Sequence, residues 1–286
     1  MNPDNAERGA TDHNRQKNAA VINDFSSFGR CSLAAALPIL SALKVQCCPV
    51  PTAVFTNHTG FKNFSWYDCT DKLESYINDW QATSLGFSAI ASGYLSSVKQ
   101  IDFVERFIST FKNPDTVILV DPVMGDYGRL YPSFKDDVAC GLRRLVPHAH
   151  VITPNLTEAC ILAGRKYDET LSDSDLLALA AELSPPEGFG CVISGVQRGE
   201  MLANFIYSRA KGPAIVTAPR IGCDRSGTGD VFSAAVLGFL LRDPDLKSAV
   251  EKAVSFVTAT IEKAVEMQIP VTDGLPFEET LPMLWS

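Results

Sequence analysis

No apolar stretch in this sequence approaches the roughly 20 residues that a bilayer-spanning helix needs, so a transmembrane anchor of that kind is excluded. Basic charge is scarce as well. Lys and Arg number 25 against 33 Asp and Glu, a formal net charge of -8. A nucleic-acid binder normally presents a basic surface, and that class is disfavoured. An anionic substrate is not excluded, because a local nest of N–H groups or a metal ion outweighs global charge. Neither a Walker A sequence nor a G-x-G-x-x-G fingerprint occurs, which disfavours P-loop and dinucleotide-binding readings. The eight cysteines, Cys31, Cys47, Cys48, Cys69, Cys140, Cys160, Cys191 and Cys223, form no C-x-x-C pair. Several stand in apolar stretches, and buried thiols in a reducing cytosol fit better than metal ligands or a disulfide framework. Met1 to Asn18 lacks an apolar h-region and a helical pattern, and reads as a disordered polar tail rather than a signal peptide. A soluble, cytoplasmic protein is expected.

What is present supports a sizeable core: 286 residues, 46% apolar and 20% charged. No linker rich in Gly, Ser or Pro divides the chain and no repeat appears, so residues 19–286 are expected to form one domain. Short β-rich runs alternate with helical stretches. Ala20 to Asn23, Phe87 to Ser92, Thr116 to Val120, His150 to Thr153 and Cys191 to Ile193 read as strands. Val45 to Phe55 reads as extended but broken at Pro49 and Pro51, and the helix from Ser32 to Leu43 as interrupted at Pro38. Met201 to Tyr207 and Ala214 to Ala218 look like an antiparallel pair near a sheet edge. The alternation predicts an α/β fold: a doubly wound, mostly parallel sheet with helices on both faces. Ligands in such sheets bind beyond the carboxyl ends of the strands.

The most informative segment is Arg225-Ser226-Gly227-Thr228-Gly229-Asp230, followed at once by the apolar run Val231 to Gly238. The run predicts a buried helix, which places two glycines and a carboxylate at its N-terminus. Free N–H groups and the helix dipole make an anion site there. Beside a bound phosphate, Asp230 can take the proton of an incoming hydroxyl; the same pattern also serves as a tight turn with an acidic first-turn residue. Other strand ends deliver Asn23-Asp24, Thr52 with Asn57 and His58, Tyr94, Asp121 with Asp126, Thr153-Pro154-Asn155 with Glu158, and Ser194-Gly195. Two carboxylates near a strand end suit a magnesium–nucleotide site. Glu158 in a first turn equally suits helix capping.

In this order and spacing, Thr56-Asn57-His58-Thr59, Ser92-Gly93-Tyr94, Asp121-Pro122-Val123-Met124-Gly125, Ile152-Thr153-Pro154-Asn155 with Glu158, and Gly227-Thr228-Gly229-Asp230 resemble the ribokinase superfamily and, within it, the pyridoxal kinase family. The similarity spans nearly all of Ala19 to Val265, and the Asp121 and Thr153 segments are shared with hydroxymethylpyrimidine kinases as well. The resemblance implies an α/β/α sandwich with a small β flap over the acceptor, usually a homodimer. It implies Mg²⁺- and ATP-dependent phosphorylation of the 5′-hydroxymethyl group of a vitamin B6 vitamer, with no nucleic acid or membrane partner and room for a monovalent cation. By position, Asp230 resembles the general base, and Gly227, Thr228 and Gly229 the anion hole. Asp121, Asp126 and Glu158 would organise Mg²⁺ and the phosphates, with Tyr131 near the phosphates. Thr153, Asn155, Ser194 and Ser226 would lie along the nucleotide. Asp24, Thr52, His58 and Tyr94 would line the acceptor pocket with Asp230. Three positions bear on the family pattern. Many pyridoxal kinases carry Ser where this chain has Asp24, which points to a cationic amine on the acceptor. The nucleotide strand ends in Ser194-Gly195 rather than a Thr-Ser type pair. Hydroxymethylpyrimidine kinases often have Cys where this chain has Asp230, which lowers that alternative. A non-catalytic B6-binding protein on the same fold is the alternative from another class.

Overall fold

The computed structural model describes residues 15–131 and 136–285. In chain order it comprises β1 (Asn18–Ser26), α1 (Ser32–Ala42), β2 (Gln46–Phe55), β3 (Trp66–Asp68), α2 (Leu73–Ala82), β4 (Ala89–Ser92), α3 (Val98–Phe111), β5 (Val117–Val120) and a hairpin of β6 (Gly125–Asp126) and β7 (Arg129–Leu130). There follow α4 (Asp136–Leu142), β8 (Val151–Ile152), α5 (Leu156–Leu162), α6 (Asp173–Leu183), β9 (Gly190–Arg198), β10 (Met201–Ser208), β11 (Gly212–Pro219), α7 (Thr228–Arg242) and α8 (Leu246–Glu266). Nine strands form one sheet in the order β11-β10-β9-β8-β5-β4-β1-β2-β3. The six from β9 to β2 run parallel, while β10, β11 and β3 pair antiparallel at the edges.

Side chains alternate between the two faces, as the period of a strand requires. Ala20 and Ile22 of β1 join the core beneath α2 to α6. Ala19 and Val21 join the core beneath α1, α7 and α8. Each face is therefore covered by helices, as the unbroken apolar run of β5 predicts. The chain leaves β1 for β2 on one side and returns to β4 on the other, so the order reverses between β1 and β4. A crevice for ligands is expected at that switch point.

The structure departs from the sequence pattern in four places. β2 runs unbroken through Pro49 and Pro51. The Gln46 N–H bonds Lys17 across to β1, so by alternation positions 49 and 51 turn their amide sites toward the edge, where β3 pairs only Ala53 to Phe55 and no donor is needed. α1 likewise continues through Pro38. β9 does not stop at Ser194-Gly195. It bulges there by one residue against β10 and runs on to Arg198, with Gly195 in the left-handed region and the Asn204 side chain accepting its N–H at 3.2 Å. Finally, β1 already begins at Asn18, which is buried and hydrogen-bonded to Gly86. Residues 1–14 of the expected tail lie outside the described residues. All eight cysteines are free thiols, and no helix among the described residues is long and apolar enough to cross a membrane.

Candidate active site

Helix α7 is capped by Gly227, whose φ of 78° is left-handed. A Cβ there would stand 2.2 Å from the Arg30 carbonyl oxygen, so the position demands glycine twice over. The turn that results is closed by the Thr228 hydroxyl, which donates to the Arg225 carbonyl at 2.9 Å. Space around Gly229 is open, with no heavy atom within 4 Å of a Cβ built on it. The Thr228 N–H lies 3.5 Å from the Arg225 carbonyl, and the first turn of this apolar, otherwise buried helix opens onto free space at Gly229, as an anion cradle requires. Ser226 is fixed from behind by its own N–H, which donates to Val271.

Asp230 sits in the first turn of that helix, half-buried. Asn23, at the end of β1, donates to its Oδ1 at 3.3 Å. The same Asn23 amide oxygen accepts the N–H groups of Asp24 and Tyr94 at 2.9 and 2.8 Å. A side chain at Gly93 would collide with it, the Asn23 Nδ2 lying 2.4 Å from a built Cβ. Burial pushes the Asp230 carboxyl up to about 6; the Ser32 N–H opposes this, and the Asp24 charge adds to it. Asp24 is buried and accepts the hydroxyls of Ser32 and Ser26 at 2.6 and 3.0 Å. Desolvation holds its carboxyl above the ordinary value in spite of both serines. Ser32, the bridge between the two carboxylates, has a φ of 51°. Such a conformation in a non-glycine residue costs on the order of 1–3 kcal/mol and clusters at functional sites.

At the end of β5, the Asp121 Oδ2 accepts the Ser233 hydroxyl at 2.6 Å, and the Thr153 hydroxyl lies 3.1 Å from that of Ser233. Burial pushes Asp121 up to about 8; Ser233 works against this and the Asp230 charge adds to it. Glu158 is engaged by backbone on both oxygens, accepting the N–H of Met124 at 3.0 Å and that of Asn155 at 2.9 Å. The Asn155 side chain returns a bond to the Glu158 N–H and donates to the Gly125 carbonyl at 2.7 Å. This is a capping box for α5, the helix role that the sequence left open. Glu158 is buried and held well above the ordinary carboxylate range, first by desolvation and then by Asp121. Asp126 lies in the β6–β7 hairpin, exposed, its carboxyl raised first by desolvation and further by Asp224. Tyr131 follows the hairpin; burial raises its phenol, and Glu158, Asp126, Asp230 and Asp121 all push it further, which places it among the carboxylates.

The remaining expected residues are less free. Thr52 is fully buried and donates to the Tyr94 carbonyl at 3.0 Å. The His58 Nε2 lies 2.7 Å from the Thr272 carbonyl, and its Nδ1 accepts the Gly60 N–H at 3.0 Å, so the hydrogen-bond pattern assigns the ring proton to Nε2. Both nitrogens are occupied within the protein. The Thr153 hydroxyl is likewise taken up by Ser233. Ser194 bridges to Asn155 as β9 parts from β8. Asn23, which a strand end already delivered, completes the site with Ser32 and Ser233, which no motif singles out. Ser233 had one signal: it follows Asp230 by three residues and so shares its helix face.

Among the described residues, no three His, Cys, Asp or Glu side chains converge closely enough to hold a metal ion by themselves. Asp121, Asp126 and Glu158 are therefore not a cage. The donor set fits a magnesium ion that keeps waters and phosphate oxygens and takes one or two carboxylates. Asp121 has its Oδ2 anchored by the Ser233 hydroxyl, and its Oδ1 accepts no hydrogen bond among the described residues.

A family model for phosphomethylpyrimidine kinase matches residues 29–272. The pyridoxal kinase of Corynebacterium diphtheriae is 29% identical over 255 residues, covering 86% of this chain and 88% of that protein. The crystal structure of pyridoxal kinase from Lactobacillus plantarum superposes with a TM-score of 0.86 at 26% identity, covering 94% of this chain and 96% of that one. A Bacteroides thetaiotaomicron protein described as a phosphomethylpyrimidine kinase, crystallised with pyridoxal, superposes with a TM-score of 0.91 at 35% identity, again over 94% and 96%.

Proposed function

The chain belongs to the phosphomethylpyrimidine kinase family, and on that premise we propose that it is an ATP-dependent kinase that phosphorylates the 5′-hydroxymethyl group of a vitamin B6 vitamer. One observation carries the reading. Asp230 stands in the first turn of α7, which is open at Gly229, against the buried Asn23–Asp24 strand end, with its carboxyl pushed up to about 6. A base poised just below neutral is ionised at physiological pH and still basic enough to receive a hydroxyl proton.

The acceptor hydroxyl attacks the γ-phosphorus of ATP as its proton passes to Asp230. The bond from that phosphorus to the β–γ bridging oxygen breaks, and ADP leaves with the electron pair. Charge that develops on the transferring group meets the N–H groups of Gly227, Thr228 and Gly229, set in place before the reaction. Mg²⁺, when bound with the nucleotide, neutralises phosphate charge, and Asp121 would hold it directly or through water, with Asp126 beside it. Glu158 and Asn155 shape the loop that carries Met124 and Gly125, and Tyr131, Ser194 and Ser226 border the phosphates and nucleotide. Asp24, Thr52, His58 and Tyr94 form the acceptor pocket. A buried carboxylate at Asp24 with no cationic side chain bonded to it among the described residues favours a vitamer that brings its own positive charge, pyridoxamine above pyridoxal. A cytoplasmic homodimer belongs to the same reading, and sedimentation of the purified chain tests the dimer.

The deciding experiment follows ATP consumption with Mg²⁺ against pyridoxal, pyridoxamine, pyridoxine and hydroxymethylpyrimidine in parallel. Turnover with the vitamers is expected, highest with pyridoxamine. Turnover with the pyrimidine alone would keep the fold and the chemistry and reassign the acceptor, as the name of the matched family allows. A vitamer that binds without any ATP turnover would make the chain a B6-binding protein.

A further inference from the structure

Ser233 is an unusual residue for its place. From Val231 to Leu241 every residue of α7 is buried, and apart from Ser233 all are apolar or glycine. A hydroxyl inside a helix commonly bonds back to the carbonyl one turn earlier. Ser233 instead reaches another element, the Asp121 carboxylate at the end of β5, at 2.6 Å. Behind it, at 3.1 Å, stands the Thr153 hydroxyl from the end of β8. All three side chains are buried. With Asp121 ionised, as a cation held beside it requires, the carboxylate only accepts, so the single Ser233 proton goes to Asp121 and Thr153 donates to Ser233. In that ionised state the direction of the chain is fixed across three elements.

Building on the kinase reading, we propose that Ser233, backed by Thr153, is a positioning residue: it anchors Oδ2 of Asp121 so that Oδ1 is presented to the magnesium-bound phosphates. The same bond ties the helix that carries Asp230 to the strand end that carries Asp121. Base and metal-side carboxylate then hold one spacing, set by two hydroxyls instead of by loops. Outer partners of this kind orient a metal-side carboxylate, and their loss typically lowers metal affinity about 10- to 100-fold.

The test is calorimetric titration of Mg²⁺ into the full-length protein saturated with ADP, beside a separate titration with pyridoxal. Ser233→Ala is expected to weaken Mg²⁺ by about 10- to 100-fold and leave pyridoxal affinity unchanged. Ser233→Thr, which keeps the hydroxyl, restores most of the loss. Thr153→Val gives a smaller loss in the same direction and carries the test should the Ser233 variant fail to fold. Unchanged Mg²⁺ affinity in a folded Ser233→Ala protein would overturn the proposal. So would an equal loss of Mg²⁺ and pyridoxal in both the Ala and Thr variants, the mark of mere packing. A wild-type protein that takes up no Mg²⁺ with ADP overturns the kinase reading along with it, whereas wild-type uptake matched by the variants overturns the positioning role alone.

Discussion

At the amino ends of the parallel strands the surface dips into a cavity of about 850 Å³, bordered by Lys17, Asn113, His150 and Glu187. The carboxyl ends enclose only about 30 Å³, beside Asn23, Asp121, Asp230 and Ser233. Several polar groups of the larger cavity are already matched within the protein. Lys17 donates to Leu241, Asn18 bonds Gly86 and Ser88, Thr116 bonds Phe87, and His150 accepts the Ile118 N–H. At the small end, five carboxylates gather, Asp24, Asp121, Asp126, Glu158 and Asp230, each raised above its ordinary value. None takes part in an ion pair among the described residues; those pairs all lie elsewhere. Unbalanced charge therefore marks the site better than volume does.

The sharpest way to break this contrast is Asp230→Asn. Turnover is expected to fall by about 10²- to 10⁴-fold with nucleotide affinity little changed; near-wild-type turnover would place the base elsewhere. Next comes the pH profile. Asp230 must be ionised to act, and its carboxyl stands at about 6. The value of kcat/KM should climb about tenfold per unit up to that region and level off above it, and a flat profile from pH 5 to 8 would count against Asp230.

The two loop glycines separate strain from access. Gly227→Ala forces a left-handed φ on a side chain that meets the Arg30 carbonyl, and should cost at least about 1–3 kcal/mol of stability. Gly229→Ala meets nothing in the protein, so it should unfold like wild type while its methyl obstructs the cradle and lowers turnover. Equal melting of both variants would refute the distinction.

A smaller effect has the opposite sign. Asp121 titrates at 3.8 in an ordinary setting and at about 8 in the fold. Between those values the folded protein keeps a proton that the unfolded chain releases, so its contribution to stability is lost as pH rises through about 8. Asp121→Asn never ionises and should raise Tm by about 2–4 °C per kcal/mol recovered, more at pH 8 than at pH 4, while turnover falls. A lower Tm at pH 8 would show that the charge is not a burden. The least effect is expected at the other end: Glu187→Gln, on the large cavity, should leave turnover unchanged and stability within about 0.5 kcal/mol. A clear loss of turnover there would end the contrast.

Much of this was readable from residue order. The antiparallel pair expected near a sheet edge is there as β10 and β11, and Asp230 at the head of an apolar run falls where a helix N-terminus was expected. Glu158 was not decidable, since a first-turn carboxylate looks the same whether it caps a helix or faces a metal. Only the positions of the Met124 and Asn155 N–H groups settle that both its oxygens are engaged. His58 followed the same course, because the Thr272 carbonyl that occupies Nε2 lies 214 residues away.

By itself the sequence determined the alternation of strands and helices, the burial of both sheet faces and the glycine turn before Asp230, because periodicity and backbone freedom are local properties. The tertiary structure alone decided that Asn23 meets Asp230, that Ser32 joins Asp24 to it, and that Thr153, Ser233 and Asp121 form one chain. Those contacts join strand ends brought side by side by the parallel sheet, and the burial that raises the carboxylates exists only once helices have closed over them.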